Sequence, residues 1–203
     1  MEIEKALKEL RNEKKRKFIQ TLDLIINLQN FDARKESINT FVELPNSPEK
    51  KICAFLTKKS KIVDTITKEE FDRYKNQRDI KRLAKKYDFF IAVAPLMSSV
   101  ATKFGRILGP SGKMPSPQAG IMPNDDDNSV KNMTDRMKKL VRIKSKEKTL
   151  KIPVGKESMS DKELKENIEV IVNSLENVLP RKKDNIKNIM IKFSMTKSIK
   201  ISE

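Results

Sequence analysis

The hydrophobic residues in the first part of the chain change from a helical spacing to a strand-like spacing. Hydrophobic positions three and four apart within residues 3–10 predict an amphipathic helix. Over residues 21–28 every second position is strongly hydrophobic, which is typical of a strand with one buried face. A second strand is predicted at Thr40–Leu44, because Pro45 and the turn-forming segment 46–49 follow it. This region therefore contributes one helix and two strands.

The middle of the chain alternates between strand-like and helical patterns. Strands are predicted at 52–56 and 88–94, and the second is continuously apolar, as in a sheet covered on both faces. Between them, the capping box Thr67-x-x-Glu70 opens a helical face, and a basic helix follows it. Another helix begins near Leu96. The alternation predicts a small α/β domain. The outer face of the basic helix carries Arg78, Lys81, Arg82, Lys85 and Lys86.

The last part of the chain returns to a mixture of helices and strands. A helix after Asn124 carries apolar residues up to Leu140, and two short strands follow, around 141–143 and 150–152. The capping box Ser160-x-x-Glu163 then begins the clearest helix in the sequence, which Pro180 ends. A final strand is predicted at Ile189–Met195 from its alternation.

The charge of the chain indicates which class of partner it binds. Lysine and arginine number 44 against 28 aspartate and glutamate, so the net charge is +16. Residues 50–123 are the most basic part, with sixteen basic residues against six acidic ones. Such an excess attracts polyanions and favours nucleic acid as the partner. A solvated surface, or adaptation to heat or salt, is the alternative explanation.

The residue types exclude most catalytic chemistry. The chain has no histidine, and its only cysteine, Cys53, lies in an apolar run typical of a buried strand. Asp125–Asp127 are better explained by a helix start than by a metal site. The segment Gly109–Lys113 resembles a phosphate-binding loop, but Ile107 replaces the first required glycine and Met114 replaces the hydroxyl residue. The sequence predicts no enzyme, no metal, no cofactor and no membrane span.

Two basic runs are placed beside predicted strands. Lys14–Lys17 leads into the first long strand, and Arg181–Lys183 precedes the last one. If these strands are neighbours, the two runs and the tail at Lys197 and Lys200 would form one basic patch. RNA-binding sheets use surfaces of this kind.

Several motifs in this order resemble the ribosomal protein L-one family, in its archaeal and eukaryotic branch. The most specific is Gly105-Arg106-Ile107-Leu108-Gly109-Pro110 followed by Gly112-Lys113-Met114-Pro115. Other matches occur across almost the whole chain: Arg16-Lys17-Phe18, Thr21-Leu22-Asp23-Leu24, Tyr87-Asp88-Phe89-Phe90, Ala94-Pro95-Leu96-Met97, Ile152-Pro153-Val154-Gly155 and Ser194-Met195.

The resemblance implies an α+β two-domain fold. A split α/β sandwich domain would combine residues 1–49 and 124–203, and residues 50–123 would form an inserted Rossmann-like α/β domain. Only about five residues separate Leu56 from the next apolar run, whereas a parallel crossover with a helix needs about a dozen. The inserted domain is therefore expected to be shortened.

The resemblance also implies the binding residues. The family's rRNA surface corresponds here to Lys17, Phe18, Thr21, Ser194, Met195 and Lys197. The RNA-facing loop of the inserted domain corresponds to Arg106, Gly109, Pro110, Gly112 and Lys113. One position departs from the family pattern, because Thr196 replaces a glycine that would allow close approach of RNA.

The family implies a structural protein of the large ribosomal subunit in the cytoplasm, present there as a monomer. Its expected partners are large-subunit rRNA and the exit-site tRNA, whose movement and release the stalk assists. Some family members also repress translation of their own mRNA, which makes that mRNA a third candidate partner. The alternative function is a free-standing RNA-binding regulator outside the ribosome, and an enzyme is the third alternative.

Overall fold

The computed structural model describes residues 2–13, 16–32, 36, 38–74, 76–145 and 147–201. Over these ranges the protein has a mixed α/β fold with three sheets. The helices in them are all too short or too polar to cross a membrane. Contacts divide the chain into two compact units, Met1–Pro48 with Lys139–Glu203 and Glu49–Lys138. We call them the terminal unit and the inserted unit.

The terminal unit contains two helices and six strands among its described residues. They are α1 (Ile3–Asn12), β1 (Thr21–Leu28), β2 (Asn39–Glu43), β7 (Leu140–Lys144), β8 (Thr149–Lys156), α5 (Asp161–Val178), β9 (Ile186–Phe193) and β10 (Ile199–Ile201). The described part of the inserted unit supplies the elements between β2 and β7. They are β3 (Ile52–Phe55), β4 (Asp64–Ile66), α2 (Gln77–Lys86), β5 (Phe89–Val93), α3 (Met97–Leu108), β6 (Ile121–Met122) and α4 (Asp127–Lys139).

The main sheet of the terminal unit is antiparallel, in the order β10-β9-β1-β8. The predicted alternation in β1 is confirmed, because every second residue of Thr21–Leu28 is buried. These residues share one hydrophobic core with the apolar stripes of α1 and α5. The helices therefore cover one face of the sheet, and α5 begins at the predicted capping box of Ser160 and Glu163. Strands β2 and β7 form a separate antiparallel pair.

The inserted unit has a parallel sheet in the order β4-β3-β5-β6. Its core is aromatic, since the Phe55 ring contacts those of Phe71, Phe90 and Phe104 at centroid distances of 5.1–5.8 Å. Strands β3 and β4 are joined by residues 56–63, which contain no helix. The shortened crossover expected from the sequence is therefore present.

The structure corrects four local predictions. The segment after the Thr67–Glu70 capping box is a 3-10 helix, Lys68–Arg73, rather than the start of an α-helix. The last long strand ends at Phe193, before Met195, and is followed by β10, which was not predicted. Val178 is 45 % exposed although it continues the apolar stripe of α5, because that helix ends there.

The fourth correction concerns residues 124–138, which the sequence analysis assigned to the terminal domain. They group by contacts with the inserted unit. The hydroxyl of Thr57 donates a hydrogen bond to the carboxylate of Asp125, which ties the segment before α4 to the end of β3. The pattern of α4 alone did not show which sheet its buried residues face.

Candidate RNA interface

The predicted residues Thr21 and Ser194 meet at one end of the main sheet. The Thr21 N–H donates to Ser194 Oγ at 3.2 Å, and the Ser194 N–H donates to the Thr21 carbonyl at 3.1 Å. Because β1 and β9 are antiparallel, the start of β1 lies beside the end of β9. This pairing brings the two separate sequence motifs, one near each end of the chain, to a single place.

Gln20 holds this end of the sheet together from the inside. Its side chain is only 3 % exposed. The Gln20 Nε2 donates to a carboxylate oxygen of Glu157 at 3.4 Å, and Oε1 accepts the Met195 N–H at 3.2 Å. The Gln20 carbonyl also accepts the Glu157 N–H at 2.8 Å. One buried amide therefore fixes the backbone of Met195 relative to the start of β1.

Arg11, at the end of α1, fixes the loop that carries Glu157. Its Nε donates to Asp161 Oδ1 at 2.6 Å, while Nη1 and Nη2 donate to the carbonyls of Glu157 and Met159 at 2.9 and 2.6 Å. The planar guanidinium provides several donors in a fixed geometry, so one residue orders the whole turn. Arg11, Glu157 and Gln20 form a continuous support beneath Met195.

Three large apolar side chains are exposed at this end of the sheet. Phe18 is 54 % exposed, Ile19 is 64 % exposed and Met195 is 57 % exposed. They are among the five large apolar residues that are exposed in the described part of the chain. Clustered exposed apolar residues mark interaction surfaces more reliably than scattered ones. The first two follow Arg16 and Lys17, which line a shallow groove with them.

Exposed cations surround these apolar side chains. Arg16, Lys17 and Lys197 are all exposed. Lys14 and Lys15, which belong to the same predicted basic run, lie outside the described residues. We call Arg16–Ile19, Thr21 and Ser194–Lys197 the sheet-end surface. It combines positive charge with flat and flexible apolar groups, a combination suited to a nucleic-acid backbone and the adjoining sugars and bases.

Thr196 closes the turn after β9. Its Oγ1 accepts the Phe193 N–H at 2.9 Å, and its own N–H donates to the Phe193 carbonyl at 3.1 Å. Its φ angle is not positive, so the backbone here has no need of glycine. Thr196 therefore adds a hydrogen-bonded side chain to the turn that presents Met195.

The second predicted basic run is not part of the sheet-end surface. Arg181–Lys183 precede β9, whose first residue Ile186 pairs with Leu28 at the far end of β1. Seven residues of strand separate that end from Thr21, which corresponds to about 20 Å. The prediction of one combined patch is therefore wrong, because antiparallel pairing sends the two runs to opposite ends of the sheet. Lys200 lies in β10, opposite Met190.

The sheet face opposite the helices carries a half-buried carboxylate. Asp23 lies between Pro153 and Lys192 on the neighbouring strands. Burial raises the pKa of its carboxyl above the usual 3.8, and the nearby charges of Lys192 and Lys151 oppose this rise. This face is therefore mixed in charge rather than uniformly basic.

The predicted loop of the inserted unit forms the end of α3 and the turn after it. Arg106, Gly109 and Pro110 are exposed. A Cβ on Gly109 would lie 2.7 Å from the Gly105 carbonyl oxygen, and Gly112 has a φ of +72°. Both glycines are therefore explained by the way the helix ends, because neither position accepts an ordinary side chain without strain.

Lys113 points into the inserted unit. Its Nζ donates to the carbonyls of Ala84 and Tyr87 at 2.8 and 2.7 Å, at the C-terminal end of α2. A cation at this position satisfies free carbonyls and complements the helix dipole. The two cations of the predicted loop thus have different environments, since Arg106 is exposed and Lys113 is hydrogen-bonded within the unit.

Comparison with known proteins identifies the family of the chain. The family model described as "Ribosomal protein L1p/L10e family" matches residues 10–197. The chain belongs to the ribosomal protein L1 family. Members of this family are structural proteins rather than enzymes.

Archaeal relatives match nearly the full length of the chain. A large ribosomal subunit protein uL1 of Nanoarchaeum equitans is 32 % identical, covering 96 % of this chain and 97 % of the relative. The uL1 proteins of Thermococcus kodakarensis and Archaeoglobus fulgidus are each 36 % identical. These matches cover 93 % and 98 % of this chain, and 90 % and 94 % of the relatives, respectively.

Sequence reasoning missed four residues of this family member's sheet-end region: Arg11, Ile19, Gln20 and Glu157. Gln20 had a detectable signal, because it occupies the same phase as the buried residues of β1. A polar residue in a buried phase requires a hydrogen-bonding partner. Glu157 and Arg11 had no comparable signal, since their partners are far away in the sequence.

Proposed function

We propose that this protein is a structural constituent of the large ribosomal subunit and binds its rRNA through the sheet-end surface. The observation that carries the proposal is the cluster of Phe18, Ile19 and Met195, exposed beside Arg16 and Lys17 in a member of a ribosomal protein family. Apolar side chains exposed on a monomer need a partner, and the flanking cations favour an anionic one.

The geometry supports recognition of RNA shape. The Met195 backbone is fixed by Gln20, and the Ser194 backbone by Thr21, so the exposed Met195 side chain projects from an ordered turn. A surface ordered before binding loses less conformational entropy when it binds. Ribose hydroxyls and the shallow minor groove are the features of an RNA helix that such a surface can reach. The cations Lys17 and Lys197 would contact phosphates.

The finer parts of the proposal follow from the family. As a stalk protein in the cytoplasmic ribosome, present as a monomer, the chain would assist movement and release of exit-site tRNA. Of the predicted loop residues through which the inserted unit would face RNA, Arg106, Gly109 and Pro110 are exposed. Repression of the protein's own mRNA would use the same sheet-end surface, provided that the mRNA segment has the shape of the rRNA site.

Sedimentation with large subunits tests this proposal. Archaeal large subunits stripped of their own family member would be mixed with the protein and washed at high salt. We expect the protein to remain with the subunits in a one-to-one ratio, and Phe18→Ala with Met195→Ala to reduce this recovery. Release of the unchanged protein by the wash would contradict the proposal and favour a free-standing RNA-binding regulator.

A further inference from the structure

Helix α2 of the inserted unit has an outer face that is almost entirely cationic. The buried stripe of the helix is Ile80, Leu83 and Ala84, while Asp79 is its only acid. The exposed cations occupy most of the remaining surface: Arg78, Lys81, Arg82, Lys85 and Lys86. The sheet-end surface lies in the terminal unit, so the function proposed above does not use this helix.

The positive charge of α2 is only weakly compensated. Arg82 lies 3.9 Å from Asp79 with its side chain 84 % exposed, and Lys86 lies 3.8 Å from Asp64 with its side chain 62 % exposed. Exposed ion pairs at such distances contribute little. Like charges four residues apart, such as Lys81 and Lys85, repel each other and destabilise a helix slightly.

The helix dipole does not account for all of this arrangement. A cation in the last turn, such as Lys85, complements the dipole, whereas Arg78 in the first turn opposes it. The ammonium of Lys113 already occupies the carbonyls at the C-terminal end of the helix. Further cations there add repulsion at carbonyls that are already satisfied, so their effect on folding alone is small or unfavourable.

The spacing of the cations produces a continuous row. Arg78, Lys81 and Lys85 are three and four residues apart, so they lie on the same side of the helix. Seven residues of helix span about 10 Å, which is long enough to contact successive phosphates of one RNA strand. Next to this row lies a shallow groove in which three cations outnumber one acid; it is lined by Arg73, Tyr74, Asp79, Arg82, Leu83, Lys86 and Tyr87.

The same surface is poorly suited to other partners. The apolar residues of α2 are buried, so the helix has no hydrophobic face with which to enter a membrane. Protein interfaces depend on a desolvated apolar or aromatic centre, and charged side chains are depleted there. A row of long, exposed, single-sign side chains is instead typical of phosphate-backbone binding.

We propose that the outer face of α2 is a second RNA-binding surface, which contacts the phosphate backbone independently of sequence. This face lies in a different compact unit from the sheet-end surface, so RNA binding by either surface can be tested independently of the other. Its contribution would be electrostatic. Each neutralised phosphate would steepen the slope of log binding constant against log salt concentration by about 0.9.

The test uses the full-length protein and an RNA duplex of arbitrary sequence, with no resemblance to a ribosomal stalk. The variant is Arg78→Gln with Lys81→Gln and Lys85→Gln, because glutamine keeps a long polar side chain and a good helix propensity. At about 50 mM salt we expect at least a tenfold loss of affinity. The slope of log binding constant against log salt concentration should become shallower by about 2–3.

A matched control separates local contact from net charge. Lys5→Gln with Lys8→Gln and Lys162→Gln also removes three positive charges, but from α1 and α5, where acidic residues lie nearby. We expect it to change the affinity less than twofold, and circular dichroism should show that both variants are folded. An equal loss in both variants, or an unchanged salt dependence in the α2 variant, would overturn the proposal.

Large subunits provide a second comparison. If the α2 variant bound the RNA duplex like the original protein but was washed from the subunits, α2 would contact a ribosomal protein and the RNA proposal would be wrong. If the proposed function is wrong but the α2 proposal is right, the original protein will not bind subunits stably. It will nevertheless bind the arbitrary duplex through α2.

Discussion

The Met195 backbone N–H is hydrogen-bonded to the side-chain Oε1 of Gln20 at 3.2 Å, across 175 residues of sequence. Gln20 is buried and Met195 is 57 % exposed, so a buried amide supports an exposed apolar side chain. This relationship separates the residues that build the sheet-end surface from those that would contact RNA.

Met195→Ala tests the exposed part of the surface. We expect a loss of about 1–3 kcal/mol in RNA binding, because the side chain would become buried only in the complex. The melting temperature should be nearly unchanged, since the exposed Met195 side chain is not buried in the core. Ile191→Ala, in β9 just before the turn that carries Met195 and fully buried, is the control. It should lose about 2–5 kcal/mol of stability and keep the affinity of the folded fraction. The opposite pattern for Met195 would remove it from the site.

Gln20→Leu tests the buried support. It leaves the Met195 N–H without its acceptor and removes one of two hydrogen bonds from Gln20 to the Glu157 carboxylate, which should cost about 1–3 kcal/mol in urea unfolding. Amide exchange of Met195 should become faster. Gln29→Leu changes the same residue type in an exposed hydrogen bond to the Asp184 carbonyl, and should cost less than about 0.5 kcal/mol. Equal effects in the two variants would show that Gln20 has no special role.

Lys113→Met and Arg106→Gln separate two functions within one motif. Lys113→Met removes two hydrogen bonds to α2 carbonyls and should lower stability by about 1–3 kcal/mol, with little effect on RNA affinity. Arg106→Gln should weaken RNA binding and leave the unfolding midpoint unchanged, because the side chain is exposed. Measuring both quantities on both variants checks the assignment, and a loss of RNA affinity for folded Lys113→Met alone would reverse it.

Asp23→Asn should stabilise the protein at neutral pH. Burial raises the pKa of this carboxyl above 3.8, so the folded state disfavours the charged form. Stability therefore falls as pH rises from the unfolded-state pKa through the higher folded-state pKa. The variant should therefore melt at a higher temperature at pH 7, with the gain disappearing as pH falls towards about 4. Glu9→Gln, which removes an exposed acid from α1, should show no such gain. A lower melting temperature for Asp23→Asn would mean that attraction to Lys192 outweighs burial.

Excision of the inserted unit tests its independence from RNA binding by the terminal unit. Residues 1–48 joined to 139–203 by a short glycine-serine linker should fold, because the Leu44 N–H donates to the Lys139 carbonyl at 2.9 Å and brings the cut ends together. RNA affinity should remain within about tenfold. An unfolded product, or a loss above about 3 kcal/mol in binding, would contradict this division. A version that retains 124–138 should be less soluble, since it exposes the buried stripe of α4.

Local patterns in the sequence predicted most of the elements. The alternation of β1 and the capping box of α5 specify their own geometry, because side-chain direction and end-capping depend on residues only a few positions apart. The same is true of the basic face of α2. The short crossover after β3 was also visible, because the number of residues limits what can fit between two strands.

The tertiary structure decided which of these elements meet. Antiparallel pairing of β1 and β9 placed Thr21 beside Ser194 and sent Arg181–Lys183 to the other end of the sheet. Packing turned Lys113 towards the carbonyls at the end of α2. Periodicity cannot reveal such outcomes, because strand register and side-chain partners depend on contacts between residues more than a hundred positions apart, or on different elements of one unit.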